Sequence, residues 1–337
     1  MANFNIFKNN AFSTVSLSGY VQKQPFVPQL LGSLNIFTPK PVRTREVFVD
    51  RKEGGLSLIA TSPDGAPPEV MEGQRRDMVS LRTTRLTKRF TLSAHQIDGI
   101  RASGSESELM AVQSEFNTLT EQINAELELT KEFHRLGALQ GLLLDADGTS
   151  VIYDYSAEFN EAIPPAISFG LDDPSSDIHA ISKSITRAVA RAALGNLAGA
   201  SIHAICGDEF YDKIVSHKNT EKFYLQQMAT QAMRDQSAIF ESFKFGGITY
   251  HNYQGTEDNT TVAVPTNEAK FFPVGGRDVF TVAYSPLESM DFVNSLGKPK
   301  YMMSIPDRER NMWVKGEIYS YPLHICQQPR LLRKGTT

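Results

Sequence analysis

Two carboxylates one residue apart, Asp145 and Asp147, stand between the apolar runs Leu142 to Leu144 and Val151 to Tyr155. Paired carboxylates are what acid–base, nucleophilic and cation-binding sites are built from. As a calcium loop the run Asp-Ala-Asp-Gly fails, because it lacks the spaced oxygen ligands and the closing Glu of an EF-hand. The seven histidines are scattered, and His203 with Cys206 or His324 with Cys326 makes isolated pairs, short of the four-ligand spacing of a zinc site. Gly246-Gly247 and Gly275-Gly276 sit in hairpin-like contexts, and neither GxGxxG nor GxxxxGK[ST] is present to cradle a phosphate. No GxSxG elbow presents a nucleophile. The residues therefore read as a structural protein and not an enzyme, with no catalytic, cofactor-binding or metal-ligating residue assigned.

The sharpest enzymatic signal is LLLDADGT, Leu142 to Thr149, which resembles the nucleophile motif of haloacid-dehalogenase-type phosphatases. There Asp145 would attack phosphorus and Asp147 would act as acid and base, with Mg²⁺ screening the carboxylates. Such a site also needs a Ser or Thr, a Lys and an acidic pair from later parallel strands. Only 24 residues separate Asp147 from the pair Asp172 and Asp173, too few for the intervening βα units. Asp145, Ala146, Asp147 and Gly148 between two apolar runs are instead a hairpin signal.

The element leading into this turn is a long helix. Ser105 with Glu108 is a capping-box start, and Leu109, Val112, Phe116, Leu119 and Ile123 recur at steps of three and four. The stripe slips after Ile123 to Leu127, Phe133 and Leu136, with Lys131 and Arg135 placed late, where they suit the helix dipole. The span Glu108 to Gln140 predicts a spine roughly 50 Å long.

Ahead of the spine, residues 1 to 43 carry single aromatics and four prolines without periodicity, which predicts an arm ordered only against neighbouring subunits, anchored by Phe4, Phe7, Phe12 and Phe26. Thr44 to Asp50 and Met78 to Leu92 read as two strands around a Gly/Pro-rich tip. Such a loop cannot bury both faces alone, so Val47, Val49, Leu56, Leu58 and Val70 are expected to need a neighbour. Its basic residues Arg75, Arg76, Arg82, Arg85, Lys88 and Arg89 form either a solvated face or one that pairs with acidic neighbours.

After the spine, Asp177 to Leu194 predicts a core-facing helix, Ser201 to Cys206 a strand, Asp208 the N-cap of a helix to about Ser216, and Thr220 to Ile239 a further helix. Phe243 to Tyr253 predicts a hairpin, followed by strands at Lys270 to Pro273, Val279 to Tyr284, Tyr301 to Ile305 and Gly316 to Cys326.

A chain of 337 residues with 41% hydrophobic content supports a real core. With 34 basic against 38 acidic residues, a net charge of −4, there is no basic excess for wrapping nucleic acid. Cys206 and Cys326 allow at most one disulfide and fit a reducing compartment as well. No apolar run reaches membrane-spanning length, so a soluble intracellular product without a membrane partner is expected.

Four ordered stretches carry a family resemblance: KRFTLSAHQIDGIRASGSESEL from Lys88, EFHRLGALQGLLLDADGTSVIYDYSAEF from Glu132, FKFGGITYHNYQG from Phe243, and the C-terminal run from Phe280 to Leu332. Together they closely resemble lambda-type phage major capsid proteins, the capsid protein E family. Ser285-Pro286, Asn294-Ser295-Leu296-Gly297 and Ser320-Tyr321-Pro322-Leu323 stand where that family typically has Ala-Pro, Asn-Thr-Gly and Ser-Asn-Pro-Leu.

The resemblance implies an α+β chain of the Hong Kong 97-type capsid fold. Residues 1–43 would be an N-terminal arm, 44–90 an extended loop, 91–176 the spine helix and peripheral domain, 177–300 an axial domain, and 301–337 a return to the peripheral domain with a C-terminal tail. It implies a subunit of hexamers and pentamers forming an icosahedral head around double-stranded DNA, in the virion and, during assembly, in the host cytoplasm. Expected partners are copies of itself, a portal, a scaffold or head-maturation protease and a decoration protein, with packaged DNA held non-specifically. The alternative sharing this fold is the shell of an encapsulin-like nanocompartment.

Overall fold

The computed structural model describes residues 30–53, 75–95, 108–193, 199–221, 223–226, 242–255, 262–276, 278–310 and 312–337. Leu56, Leu58, Val70, Ser105, Phe4, Phe7, Phe12, Phe26 and the stretch 227–241 lie outside them. After a short helix α1 (Leu30–Ser33) come strands β1 (Thr38–Pro41), β2 (Glu46–Glu53), β3 (Arg75–Arg82) and β4 (Leu86–Ser93).

The spine α2 (Glu108–Gln140) is a single helix of 33 residues, about 50 Å long at 1.5 Å per residue. Its slipping stripe has a physical cause, because the two halves face different cores. Phe116, Ile123 and Leu127 pack with Leu92, Met302, Val314 and Ile318 in one cluster, while Leu136, Ala138 and Leu139 belong to the main core. Gly141, at φ +79°, ends the helix in a conformation that a side chain disfavours.

The chain then turns into the hairpin β5 (Leu142–Leu144) and β6 (Val151–Asp154), the short helix α3 (Tyr155–Glu158) and β7 (Ile167–Ser168). Helix α4 (Ile178–Ala192) follows, with the Asp177 carboxylate accepting the Ala180 N–H at 2.9 Å and Ile178, Ile185 and Val189 buried. Next come β8 (Ser201–Cys206), α5 (Asp208–Ser216), β9 (Ser242–Phe245), β10 (Ile248–Asn252), β11 (Glu268–Val274), β12 (Phe280–Tyr284), β13 (Tyr301–Pro306), β14 (Trp313–Ser320), β15 (Pro322–Cys326) and β16 (Arg333–Thr336). The N-cap of α5 is Gly207, with Asp208 one position inside, so the expected Asp208 cap is corrected; the acid still sits at the positive end of the helix.

A mixed six-stranded sheet runs β7-β16-β11-β8-β10-β9, and a three-stranded sheet β13-β14-β4 lies under the first half of the spine. A second three-stranded sheet runs β1-β12-β15, and β2 with β3 forms an isolated ribbon. Two long strands expected from sequence each divide between sheets. Met78 to Leu92 breaks at Thr83 to Arg85, where Thr84 donates to the Pro322 carbonyl at 2.6 Å, and β4 leaves the ribbon to pair with β14. Gly316 to Cys326 breaks at Tyr321, because β14 pairs with β4 and β13 while β15 pairs with β12.

Two expectations about neighbours are overturned. Residues 30–41 of the arm fold on their own subunit, since Leu30, Leu31 and Ile36 are buried and β1 pairs in parallel with β12. Val47 and Val49 likewise lie in the main core with Leu81 and need no second copy. The reason is period-two alternation: one ribbon face lies on the body, while Phe48 and Met78 on the other face remain 51% and 62% exposed.

Close backbone approach makes Gly297 irreplaceable. A Cβ there would stand 1.9 Å from the Tyr284 carbonyl oxygen, and the Gly297 N–H donates to the Val42 carbonyl at 2.9 Å. Gly297→Ala should destabilise the subunit by about 1–3 kcal/mol, lowering the urea midpoint at constant slope. An unchanged midpoint would show that this crossing is not tight.

Candidate functional site

Asp145 and Asp147 are brought together in the β5–β6 turn, where hydrogen bonding engages them locally. Asp145 closes the turn, its N–H donating to the Ser150 carbonyl and its own carbonyl accepting the Gly148 N–H, both at 2.9 Å. Asp147 Oδ1 accepts the N–H groups of Thr149 at 3.0 Å and Ser150 at 2.8 Å, and the Ser150 hydroxyl donates to Oδ2. The Ser150 hydroxyl, with the two N–H groups, holds the Asp147 carboxyl far below the usual carboxylate range. Both carboxylate oxygens are thus occupied by hydrogen bonds inside the turn. Asp172 is engaged with Lys213 at 2.8 Å and Asp173 with the Ser175 N–H at 2.9 Å. A groove of about 290 Å³ beside the turn is lined by Leu129, Phe133 and Val262 as well as Asp147.

His203 partners His251, with Nδ1 and Nε2 2.9 Å apart, and its other nitrogen lies 2.8 Å from the Ser201 hydroxyl. Cys206 and Cys326 are buried free thiols, both pushed up by burial. Among the described residues no group of three or more His, Cys, Asp or Glu is placed to hold a metal, and no helix is long and apolar enough to cross a membrane.

The spine's charged residues form a site that a surface reading missed. Lys131 and Glu132 are 2% and 1% exposed, so these charges sit inside the molecule and not at a solvated helix end. Glu128 receives Lys300 at 2.8 Å, Lys131 at 3.2 Å and Arg135 at 3.7 Å. Burial works to raise the Glu128 carboxyl, but these cations outweigh it and hold the group below the ordinary range. Glu132 receives Arg135 at 3.0 Å and the Leu31 N–H at 2.7 Å. Lys131 and Arg135 thus pair with acids and do not serve the dipole. The Glu128-Lys131-Glu132-Arg135 spacing is the sequence signal, four charges at steps of three and four on one face.

The ribbon root is the second site. The Tyr153 hydroxyl of β6 accepts the Arg82 N–H at 2.8 Å and donates to the Arg82 carbonyl at 3.1 Å. Arg85 and Lys88 pair with Glu288 and Glu126 of the same chain, so this part of the basic face is satisfied internally.

His134 and His324 are buried beside the charged network, with ring centroids 6.3 Å apart. Neither ring has a hydrogen-bond partner among the described residues. Burial lowers His134 to about 4, from 6.5 in the unfolded chain. Between pH 6.5 and 4 the unfolded chain therefore binds more protons than the folded one, and stability falls on acidification. His134 contributes on the order of 3 kcal/mol to that loss. His134→Phe should flatten the acid limb of stability measured by urea titration from pH 7.5 to 4.5. Parallel profiles for the two proteins would refute the assignment.

The family model for phage major capsid protein E matches residues 13–337. The major capsid protein of Salmonella phage Felix O1 (isolate Felix O1-VT1) is 24% identical, with 96% of each chain covered. That of Pseudomonas phage KPP10 is 24% identical, with 97% of each covered. Among solved structures, a prophage capsid protein from E. coli CFT073 superposes with a TM-score of 0.58 at 13% identity, covering 96% of this chain and 98% of that one. The fold is the mixed α+β Hong Kong 97-type expected above. With the family model spanning nearly the whole sequence, the chain belongs to the phage major capsid protein E family, as a structural capsid protein and hence a component of the virion.

Proposed function

We propose that the subunit closes into hexamers and pentamers that form an icosahedral head around packaged double-stranded DNA, assembling from copies of itself in the host cytoplasm. The observation that carries this reading is the two-faced ribbon. Val47, Val49 and Leu81 bury one face in the subunit, and Phe48 and Met78 stand exposed on the other. Phe48 lies opposite Ser80 and Asp50 opposite Met78, which makes the two apolar side chains diagonal neighbours on that exposed face. A neighbouring copy covering this face gains apolar burial, and ring closure turns weak pairwise contacts into a stable capsomer.

In this reading residues 1–43 are the arm, 44–90 the extended loop, 91–176 the spine and peripheral domain, 177–300 the axial domain, and 301–337 the return to the peripheral domain and tail. The β13-β14-β4 sheet against the spine supports the peripheral unit, and the β8-β10-β9 run with α4 and α5 supports the axial one. β16, from the last segment, joins the same six-stranded sheet as that run, pairing with β11 on one side and β7 on the other.

A portal, a scaffold or head-maturation protease and a decoration protein are the further partners. DNA contact is non-specific, since 34 basic against 38 acidic residues leave no cationic excess to retain a genome. The β5–β6 turn has no hydrolytic role, its Asp147 being committed to the turn itself. The family match and both curated relatives favour the phage head over an encapsulin-like compartment.

Replacing Gly54 to Gly73 with a short Gly/Ser linker spares Val47, Val49 and Leu81. It should leave a cooperatively folding monomer that forms no rings or shells in sedimentation, and wild-type assembly should weaken in high salt. Normal shells from the replacement, or loss of the monomer fold, would contradict this role for the loop.

A further inference from the structure

Just after β12 one short turn grips both legs of the β2–β3 ribbon. Ser285 is fully buried, and its hydroxyl donates to the Thr44 carbonyl on the outgoing leg at 2.8 Å. The same oxygen accepts the Thr83 hydroxyl of the returning leg at 2.9 Å. Three residues on, the Glu288 carboxylate divides in the same way. Arg45 of the outgoing leg pairs with Oε1, and Arg85 Nε of the returning leg lies 3.6 Å from Oε2. Each guanidinium also stacks on a tyrosine of the β14–β15 junction, Arg45 5.0 Å from the Tyr321 ring centre and Arg85 5.3 Å from that of Tyr319.

These ion pairs are too exposed to add much stability singly, with Glu288 at 42% and Arg85 at 47%. What they supply is direction. One buried oxygen and one carboxylate each touch both legs, so turning the ribbon about its root breaks these four contacts together, in addition to the packing of Val47, Val49 and Leu81.

We propose that Ser285 and Glu288 form a clamp that sets the angle at which the ribbon leaves its subunit, and through that angle the curvature of the shell. The inference rests on the shell-forming reading above. Both are positioning residues; neither needs to touch the neighbouring copy.

The test compares wild type with a Ser285→Ala, Glu288→Gln variant. Distances are read in the unassembled proteins carrying spin labels at S80C on the ribbon and Q122C on the spine, both exposed positions, and shell diameters by electron microscopy of the same proteins without the labels or their cysteines. Wild type should give one narrow distance and one diameter. The variant should lose the narrow distance and form shells of mixed diameter. Thr83→Val removes the same hydroxyl contact from the opposite side and serves if the double variant fails to fold. An unchanged distance distribution overturns the clamp, and a broadened one with shells of uniform wild-type diameter overturns its control of curvature. Failure of wild type itself to form shells would count against the assembly reading, while the distances would still report on the clamp.

Discussion

A long helix that passes through the interior with charges on it must bring their partners inside as well. Removing one member of a buried ion pair leaves an uncompensated charge, at a cost of about 3–5 kcal/mol, so every element delivering a partner to the spine is fixed by that delivery. Glu132 fixes α1 through the Leu31 N–H, and Glu128 fixes the segment before β13 through Lys300. The Lys131 ammonium reaches the Pro299 carbonyl at 3.4 Å, and the Ser320 hydroxyl donates to the same carbonyl at 2.6 Å, which ties β14 to the network. Helix α1, the spine, the segment before β13 and strand β14 thus share one polar centre, flanked by the apolar clusters on either half of the spine.

That arrangement explains a division of labour. The main core of the subunit includes Leu30, Leu31 and Ile36 and the inner face of the ribbon. Among the described residues, the large apolar side chains left exposed include Phe48 and Met78 on the outer ribbon face, Met290, Val293 and Leu296 between β12 and β13, and Val151, Phe223, Leu225 and Met312 elsewhere. Apolar surface retained on a folded subunit is available for contact between subunits at no cost to the fold. The ribbon is therefore held at its root, with Phe48 and Met78 exposed on its outer face, a geometry suited to reaching a neighbour.

Local signals in the sequence were strong wherever one segment decided its own structure. The limits of the spine, the Asp145–Gly148 turn and the Asp177 cap all follow from periodicity, turn residues and capping chemistry. What was hidden depends on long-range pairing. Met78 to Leu92 is one continuous strand by pattern, and only the Thr84–Pro322 bond and pairing with β14 show that it serves two sheets. Lys131 and Arg135 look like favourable charges late in a helix, because sequence spacing says nothing about Lys300 arriving from far along the chain. Val47 and Val49 read as needing a neighbour because a two-stranded loop cannot bury both faces alone, and no periodicity in residues 1–43 signals that Leu30, Leu31 and Ile36 share their core.

The most direct test of a self-sufficient body with an assembly-dependent ribbon is amide hydrogen exchange on the unassembled subunit and on the shell. The amides of Glu128 to Leu139 and of β8 and β11 should be equally protected in both states. The outward-facing amides of β2 and β3 should gain protection only in the shell. Spine amides protected only after assembly, or ribbon amides protected equally in both states, would contradict it.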